Sequence, residues 1–190
     1  MWSWVLQGIS IFTHTHTRNA ESQFPSLLMD NGSVIEELIE QDESMKQWNS
    51  TSVQTIRLNT ILTEQGFYAL SAAIRVGEMN EVVDNAASGG YVAAIDIQTG
   101  IVISDAINYK RKTHHKNASL KGWKVPGWDL LLKMANEIQN IIPHQRYVGW
   151  DFAYSKKGWC LVEANWGEIL SQFALAKGIR TEFEKRITTR

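Results

Sequence analysis

The sequence predicts an α+β fold: an antiparallel β-sheet with flanking helices. Two observations carry this. Three pairs of β-rich runs are each joined by a short turn signal, and one strongly amphipathic helix interrupts them. Such a sheet is expected to have one face under helices and one face available for chemistry.

Taken in order, Met1–Phe12 is apolar but has no basic stretch before it and no small-residue cleavage site after it. It is also far shorter than the ~20 apolar residues of a membrane span, so it reads as a structural segment, or as one half of an element whose partner lies upstream. His14 and His16 alternate with threonines and read as a solvated loop, with a weak metal site as the alternative. Val53–Leu62 and Phe67–Val76 are strands around the turn Thr63-Glu64-Gln65-Gly66. Tyr91–Ile97 and Ile101–Ile107 repeat the pattern around Gln98-Thr99-Gly100. A helix then opens at Pro126-Gly127, carries Trp128, Leu131, Leu132, Ala135, Ile138 and Ile142 on one stripe, and stops at Pro143. Tyr147–Ser155 and Trp159–Trp166 form the third hairpin, and Ile169–Lys177 reads as a shorter helix ending at Gly178.

Composition excludes several classes. At 190 residues the chain reads as a single domain, residues 1–190, with no room for two full ones. A content of 44% hydrophobic and 21% charged residues argues against intrinsic disorder. Nineteen basic against twenty acidic residues leave no footprint for nucleic acid. One cysteine, Cys160, excludes a disulfide scaffold and a cysteine zinc site, and fits a reducing cytoplasm. Eight tryptophans suggest a carbohydrate binder at first sight, but Trp150, Trp159 and Trp166 sit on one hairpin and Trp123 and Trp128 beside the helix start. They read as packing spread around the sheet and its covering helix, with Trp2 and Trp4 apart from them in the N-terminal segment.

The third hairpin carries the chemistry. A three-residue turn, Lys156-Lys157-Gly158, puts Ser155 opposite Trp159, Asp151 opposite Glu163 and Gly149 opposite Asn165. Glu163, Asn165 and Asp151 then share a face. Like charges facing each other at about 5 Å are destabilising unless something positive lies between them. Two carboxylates and an amide oxygen suit Mg2+ better than zinc, and Gly149 leaves room for a ligand. The alternative is a pair of solvated surface acids, against which stand the apolar neighbours Trp150, Phe152, Leu161, Val162 and Ala164.

Gly149-Trp150-Asp151-Phe152 followed by Leu161-Val162-Glu163-Ala164-Asn165 resembles the metal-binding end of ATP-grasp enzymes, and more narrowly the sugar-transfer-associated ATP-grasp family. Val34–Gln41, Thr55–Leu58, Ala73–Gly77 and Val83–Gly90 support the resemblance, whose ordered segments cover roughly residues 31 to 180. The resemblance implies ATP and Mg2+ as cofactors, with metal ligands Asp151, Glu163 and Asn165. It also implies a hinge strand Glu36, Glu37, Leu38 and Ile39 whose main chain meets adenine, and Glu43 at the ribose. Arg57 and Arg75, charged within apolar strands, would grip the triphosphate; the alternative pairs them with Asp151, Glu163 or Asp84. Asp84-Asn85 and Ser88-Gly89-Gly90 would lie by the γ-phosphate and acceptor, making Asn85 a third catalytic candidate. His114-His115, Gly122 and Pro126 would shape a loop over the site.

The implied reaction is ATP-dependent activation of a carboxylate as an acylphosphate, followed by attack of an amine or other nucleophile, in a setting of polysaccharide biosynthesis. The resemblance implies the C-terminal ATP-grasp subdomain over residues 31–180, with residues 1–30 a remnant or partner-facing segment. The glycine-rich flap and phosphate-gripping lysines of the family lie upstream of the hinge. Here about thirty residues precede Val34, and the first lysine is Lys46. An upstream subdomain or partner chain is therefore expected to complete the site. A non-catalytic module binding a partner or carbohydrate is the alternative.

Overall fold

The structure, a computed structural model, describes residues 10–12, 34–36, 39–77, 90–108, 113–114, 120–166 and 178–188. The chain divides into two compact units, Met1–Glu40 and Gln41–Arg190. In the first, strands β1 (Ser10–Phe12) and β2 (Val34–Glu36) pair antiparallel, Ile11 opposite Ile35.

The second unit follows the alternation of its sequence. After a one-turn helix α1 (Glu43–Lys46) come β3 (Thr55–Thr63), β4 (Gly66–Val76), β5 (Tyr91–Ile95), β6 (Ile107–Asn108) and β7 (Thr113–His114). Helix α2 (Trp128–Ile141), strands β8 (Tyr147–Ser155) and β9 (Gly158–Asn165), and helix α3 (Arg180–Thr188) complete it. Among the described residues, seven strands form one sheet in the order β7-β6-β5-β4-β3-β8-β9, every pair antiparallel. The expected α+β class is what the chain adopts. Among the same residues no helix is long and apolar enough to cross a membrane.

Period-two alternation divides the sheet into two chemically different faces. Ile56, Leu58, Ala72, Ile74, Ala93, Ile95, Val148, Trp150 and Phe152 point to the core and meet Trp128, Leu131 and Ala135 of α2. Each fully buried Leu, Ile or Phe there contributes roughly 1.5–3 kcal/mol. The opposite face carries Thr55, Arg57, Asn59, Ser71, Arg75 and Asp151, all buried. The expected free face is thus a buried polar one.

Helix α2 starts and stops where expected. Gly127 enters it with φ 57°, a left-handed value suited to glycine, and Ile142 N–H closes on Gln139 O at 3.1 Å before Pro143. Its stripe gains one residue not expected in it, the fully buried Gln139, while Leu132, Ile138 and Ile142 are only partly covered. The Gln139 carboxamide accepts from Thr60 Oγ1 (2.6 Å) and donates to the carbonyls of Gln145 (3.3 Å) and Arg146 (3.1 Å). Thr60 Oγ1 in turn accepts from Trp150 Nε1 at 2.8 Å, so the burial is hydrogen-bonded throughout.

Two expected elements differ. The strand after the Gln98-Thr99-Gly100 turn is interrupted: Val102 bridges Ile95, and regular pairing resumes only at Ile107. Ser104 Oγ takes the Ala94 N–H at 2.8 Å, replacing a ladder carbonyl. The expected helix 169–177 lies outside the described residues, whereas α3 begins two residues past Gly178. Its stripe is too thin to read in sequence, and helix-internal pairs Arg180–Glu184 (2.6 Å) and Arg186–Glu182 (2.8 Å) support it instead. Phe183 meets Tyr147 edge-on at 5.1 Å and Arg186 lies 4.0 Å over the Tyr68 ring.

The tryptophans pack as read. Trp48, Trp128 and Trp150 are buried, Trp123 and Trp159 half-buried, and only Trp166 among the described ones is exposed. Trp2 and Trp4 lie outside the described residues.

Candidate functional site

The polar face is organised around one carboxylate. Asp151 sits mid-strand in β8, opposite Arg57 on β3 and opposite Glu163 on β9. Strand pairing therefore sets an Arg–Asp–Glu row across three adjacent strands, and alternation puts all three side chains on the same face.

The Arg57 guanidinium forks onto Asp151, with Nε donating to Oδ1 and Nη2 to Oδ2 at 2.8 Å. Arg75, near the end of β4, donates from Nε to Thr55 Oγ1 at 3.0 Å, and its Nη2 lies 3.1 Å from Asp151 Oδ2. Asn165 Nδ2 donates to the same Oδ2 at 3.4 Å. One carboxylate thus receives two cations and an amide, close to the roughly four acceptor sites it has. Asp151 is 1 % exposed and Arg57 3 %, a depth at which unpaired charge is untenable and a bidentate pair is well suited. The arginines neutralise Asp151, while Glu163, opposite it on β9, is exposed.

The hairpin reaches this register by another route than the expected one. Its turn has two residues, Lys156-Lys157, with Ser155 opposite Gly158 and Tyr154 opposite Trp159. Ser155 Oγ accepts from Lys157 N–H (3.1 Å) and donates to Gly158 O (2.9 Å), and Gly158 adopts φ 107°. Alone, that turn would leave Glu163 one step out of line. A bulge between Asp151 and Phe152 leaves Val162 without a partner and restores Glu163 opposite Asp151 and Asn165 opposite Gly149. Leu161, Val162 and Glu163 are in consequence all exposed.

Five of the expected site residues converge: Arg57, Arg75, Asp151, Glu163 and Asn165. Glu43 lies in α1, solvent-exposed, with Lys46 Nζ 2.8 Å from its Oε1. Glu36 ends β2 and Ile39 follows it in the Met1–Glu40 unit, while Glu37, Leu38 and Asn85 lie outside the described residues. So do Asp84, Ser88, Gly89 and His115; His114 is in β7.

Sequence reasoning did not pick out Tyr147 or Thr55. Tyr147 shares the face of Asp151 by alternation, and burial pushes its phenol up to about 12, opposed in part by the positive charge of Arg57. Thr55 is directly opposite Arg75, the register that lets its hydroxyl orient that guanidinium. A threonine opening a strand carries no signal of such a role.

Chemically, two guanidiniums on one face suit an anion with several oxygens, phosphate above all. Glu163 and the Asn165 amide oxygen, with Asp151 between them and the arginines, are a hard oxygen set that fits Mg2+. Among the described residues no three His, Cys, Asp or Glu side chains form a metal cluster, so such a cation would draw on Asn165 and on oxygens from a substrate.

A family model described as sugar-transfer associated ATP-grasp matches residues 10–186. No curated protein and no solved structure gives a significant match.

Proposed function

The chain belongs to the sugar-transfer associated ATP-grasp family, and from that premise we propose that it binds Mg-ATP in the service of a carboxylate ligation. The reaction is activation of a carboxylate as an acylphosphate, followed by attack of an amine or other nucleophile, within polysaccharide biosynthesis. The observation that carries this reading is the convergence of Arg57 and Arg75 with Asp151, Glu163 and Asn165 on one sheet face.

In this reading Arg57 and Arg75 bind and orient phosphate oxygens and neutralise charge that grows during transfer. Asp151, Glu163 and the Asn165 amide oxygen hold Mg2+, which when bound supplies charge neutralisation at the phosphates. The main chain of Glu36, Glu37, Leu38 and Ile39 meets the adenine, Glu43 the ribose, and Asn85 the γ-phosphate and acceptor. An upstream subdomain or partner chain supplies the flap, and the reducing cytoplasm suits the free thiol Cys160.

Isothermal titration with ATP and Mg2+ tests the proposal. Saturable binding that weakens at least about tenfold in Glu163→Gln supports it, a difference of ~1.4 kcal/mol. Absence of binding by the wild-type chain sinks it.

One observation favours a second reading, a non-catalytic ATP-grasp-derived module that binds a partner or a carbohydrate. Both arginines close on Asp151 inside the sheet, as purely structural ion pairs do. That module would leave Mg-ATP unbound, and quenching of tryptophan fluorescence by an oligosaccharide would identify the carbohydrate form.

A further inference from the structure

Both proposed clients of this site, phosphate oxygens and a cation, need groups that already hold each other. Asp151 Oδ1 accepts from Arg57, and Oδ2 accepts from Arg57 (2.8 Å) and Asn165 (3.4 Å) and lies 3.1 Å from Arg75 Nη2. A cation anchored at Glu163 that takes Asp151 Oδ2 competes there with three donors, the Arg57 and Arg75 guanidiniums and the Asn165 amide. A phosphate can take the Arg57 fork only by leaving Asp151 with less positive charge.

We infer that the Asp151 carboxylate is exchanged between the arginines and the cation, and that this exchange makes the two ligands bind cooperatively. Alone, each pays to break the Arg57–Asp151–Arg75 cluster. Together, each takes the partner that the other releases, so no buried charge is left uncompensated. By linkage, the factor by which anion tightens cation equals the factor by which cation tightens anion. The role presupposes the Mg-ATP reading and adds to it a rule of joint arrival. Thr55 keeps Arg75 oriented through its Nε while Nη2 is exchanged.

Mn2+ serves as the probe, its free concentration followed by electron paramagnetic resonance on the full chain, with and without ADP after correction for the Mn–ADP complex in solution. On the wild type, ADP tightens Mn2+ at least about fivefold, the lower end of typical coupling between sites. Arg75→Gln, which removes one of the contacts on Asp151, tightens Mn2+ in the absence of nucleotide at least about threefold and shrinks the ADP effect. In an Asp151→Asn background the same arginine change has no effect on Mn2+. Thermal melts identify any variant that fails to fold, and Thr55→Val, which removes the hydroxyl that orients Arg75, then takes the place of Arg75→Gln with the same expected gain in Mn2+ affinity. Wild-type binding of both ligands without coupling overturns the exchange and leaves the ATP reading standing. Persistence of the Arg75→Gln effect in the Asp151→Asn background also overturns it, because bulk charge alone then accounts for the gain. Binding of neither Mn2+, ADP nor both together by the wild type overturns the ATP reading and the exchange with it.

Discussion

Arg57 and Asp151 stand 94 residues apart in the chain and directly opposite each other in the sheet, joined by a bidentate ion pair buried on both sides. Strand order makes this contact: β8 returns to pair with β3 after β4 to β7 and α2 have intervened. Asp151 and Glu163, though opposite each other, are energetically unlike. One neutralises two buried cations, and the other is exposed on the edge strand.

Stability measurements should separate them. Asp151→Asn keeps the shape but strands two guanidiniums, so we expect a loss of about 3–5 kcal/mol in urea unfolding. Glu163→Gln, at an exposed position, should stay within about 0.5 kcal/mol of wild type. Equal losses would mean that Glu163 is part of the structural cluster.

High pH should destabilise the unit through Tyr147. Burial disfavours the phenolate and pushes the phenol up to about 12 from its ordinary 10.0. Between those values the unfolded chain releases a proton that the folded chain keeps. The associated stability is therefore complete below pH ~10 and is lost as pH rises toward ~12. Unfolding midpoints at pH 9 and 11 give the slope, and Tyr147→Phe should flatten it.

Much of this was legible in the sequence, unevenly. The hairpins β3–β4 and β8–β9 and the helix α2 follow from alternation and turn residues that act locally. The bulge at Val162 was not, because an extra residue in an apolar run leaves no mark on composition or period. The expected three-residue turn and the observed two-residue turn plus bulge place Glu163 identically, so two local differences cancel at the site. Gln139 was missed for a related reason. A polar residue on a helix face reads as a stripe boundary, and only the positions of Thr60, Trp150 and the 145–146 carbonyls show why it is inside. The clasp of both arginines on Asp151 depends on the strand order β4-β3-β8, which turn chemistry alone does not determine.

Gly100 should be intolerant of substitution for two separate reasons. Its φ of 70° disfavours any Cβ, by about 1–2 kcal/mol. A Cβ there would also run into Trp128, whose own Cβ would be 2.7 Å away and whose indole is fixed by a 2.8 Å hydrogen bond to Ile97 O. Gly122 has φ 89° but nothing within 4 Å, which isolates the conformational part. We expect Gly122→Ala to cost about 1–2 kcal/mol, and Gly100→Ala to exceed it by a further 1–3 kcal/mol from overpacking. Thermal denaturation of the two variants measures the difference.

Single-residue deletions in β9 test whether register, rather than composition, makes the site. Val162 has no partner, and removing it brings Leu161 and Glu163 together across from Phe152 and Asp151, with every other pair unchanged. Stability should then stay within about 1 kcal/mol of wild type, since the residue is half exposed and outside the ladder. Mg-ATP affinity, if the proposed function holds, should survive. Deleting Ala164 is chemically milder but changes parity: Asn165 would move from opposite Gly149 to opposite Trp150 and turn its amide to the core face. That variant should lose at least about tenfold in Mg-ATP affinity, equivalent to ~1.4 kcal/mol, because both the amide oxygen and the Asn165–Asp151 hydrogen bond leave the site. Titration calorimetry on the two deletions reads the contrast, and equal affinities would exclude Asn165 from the binding face.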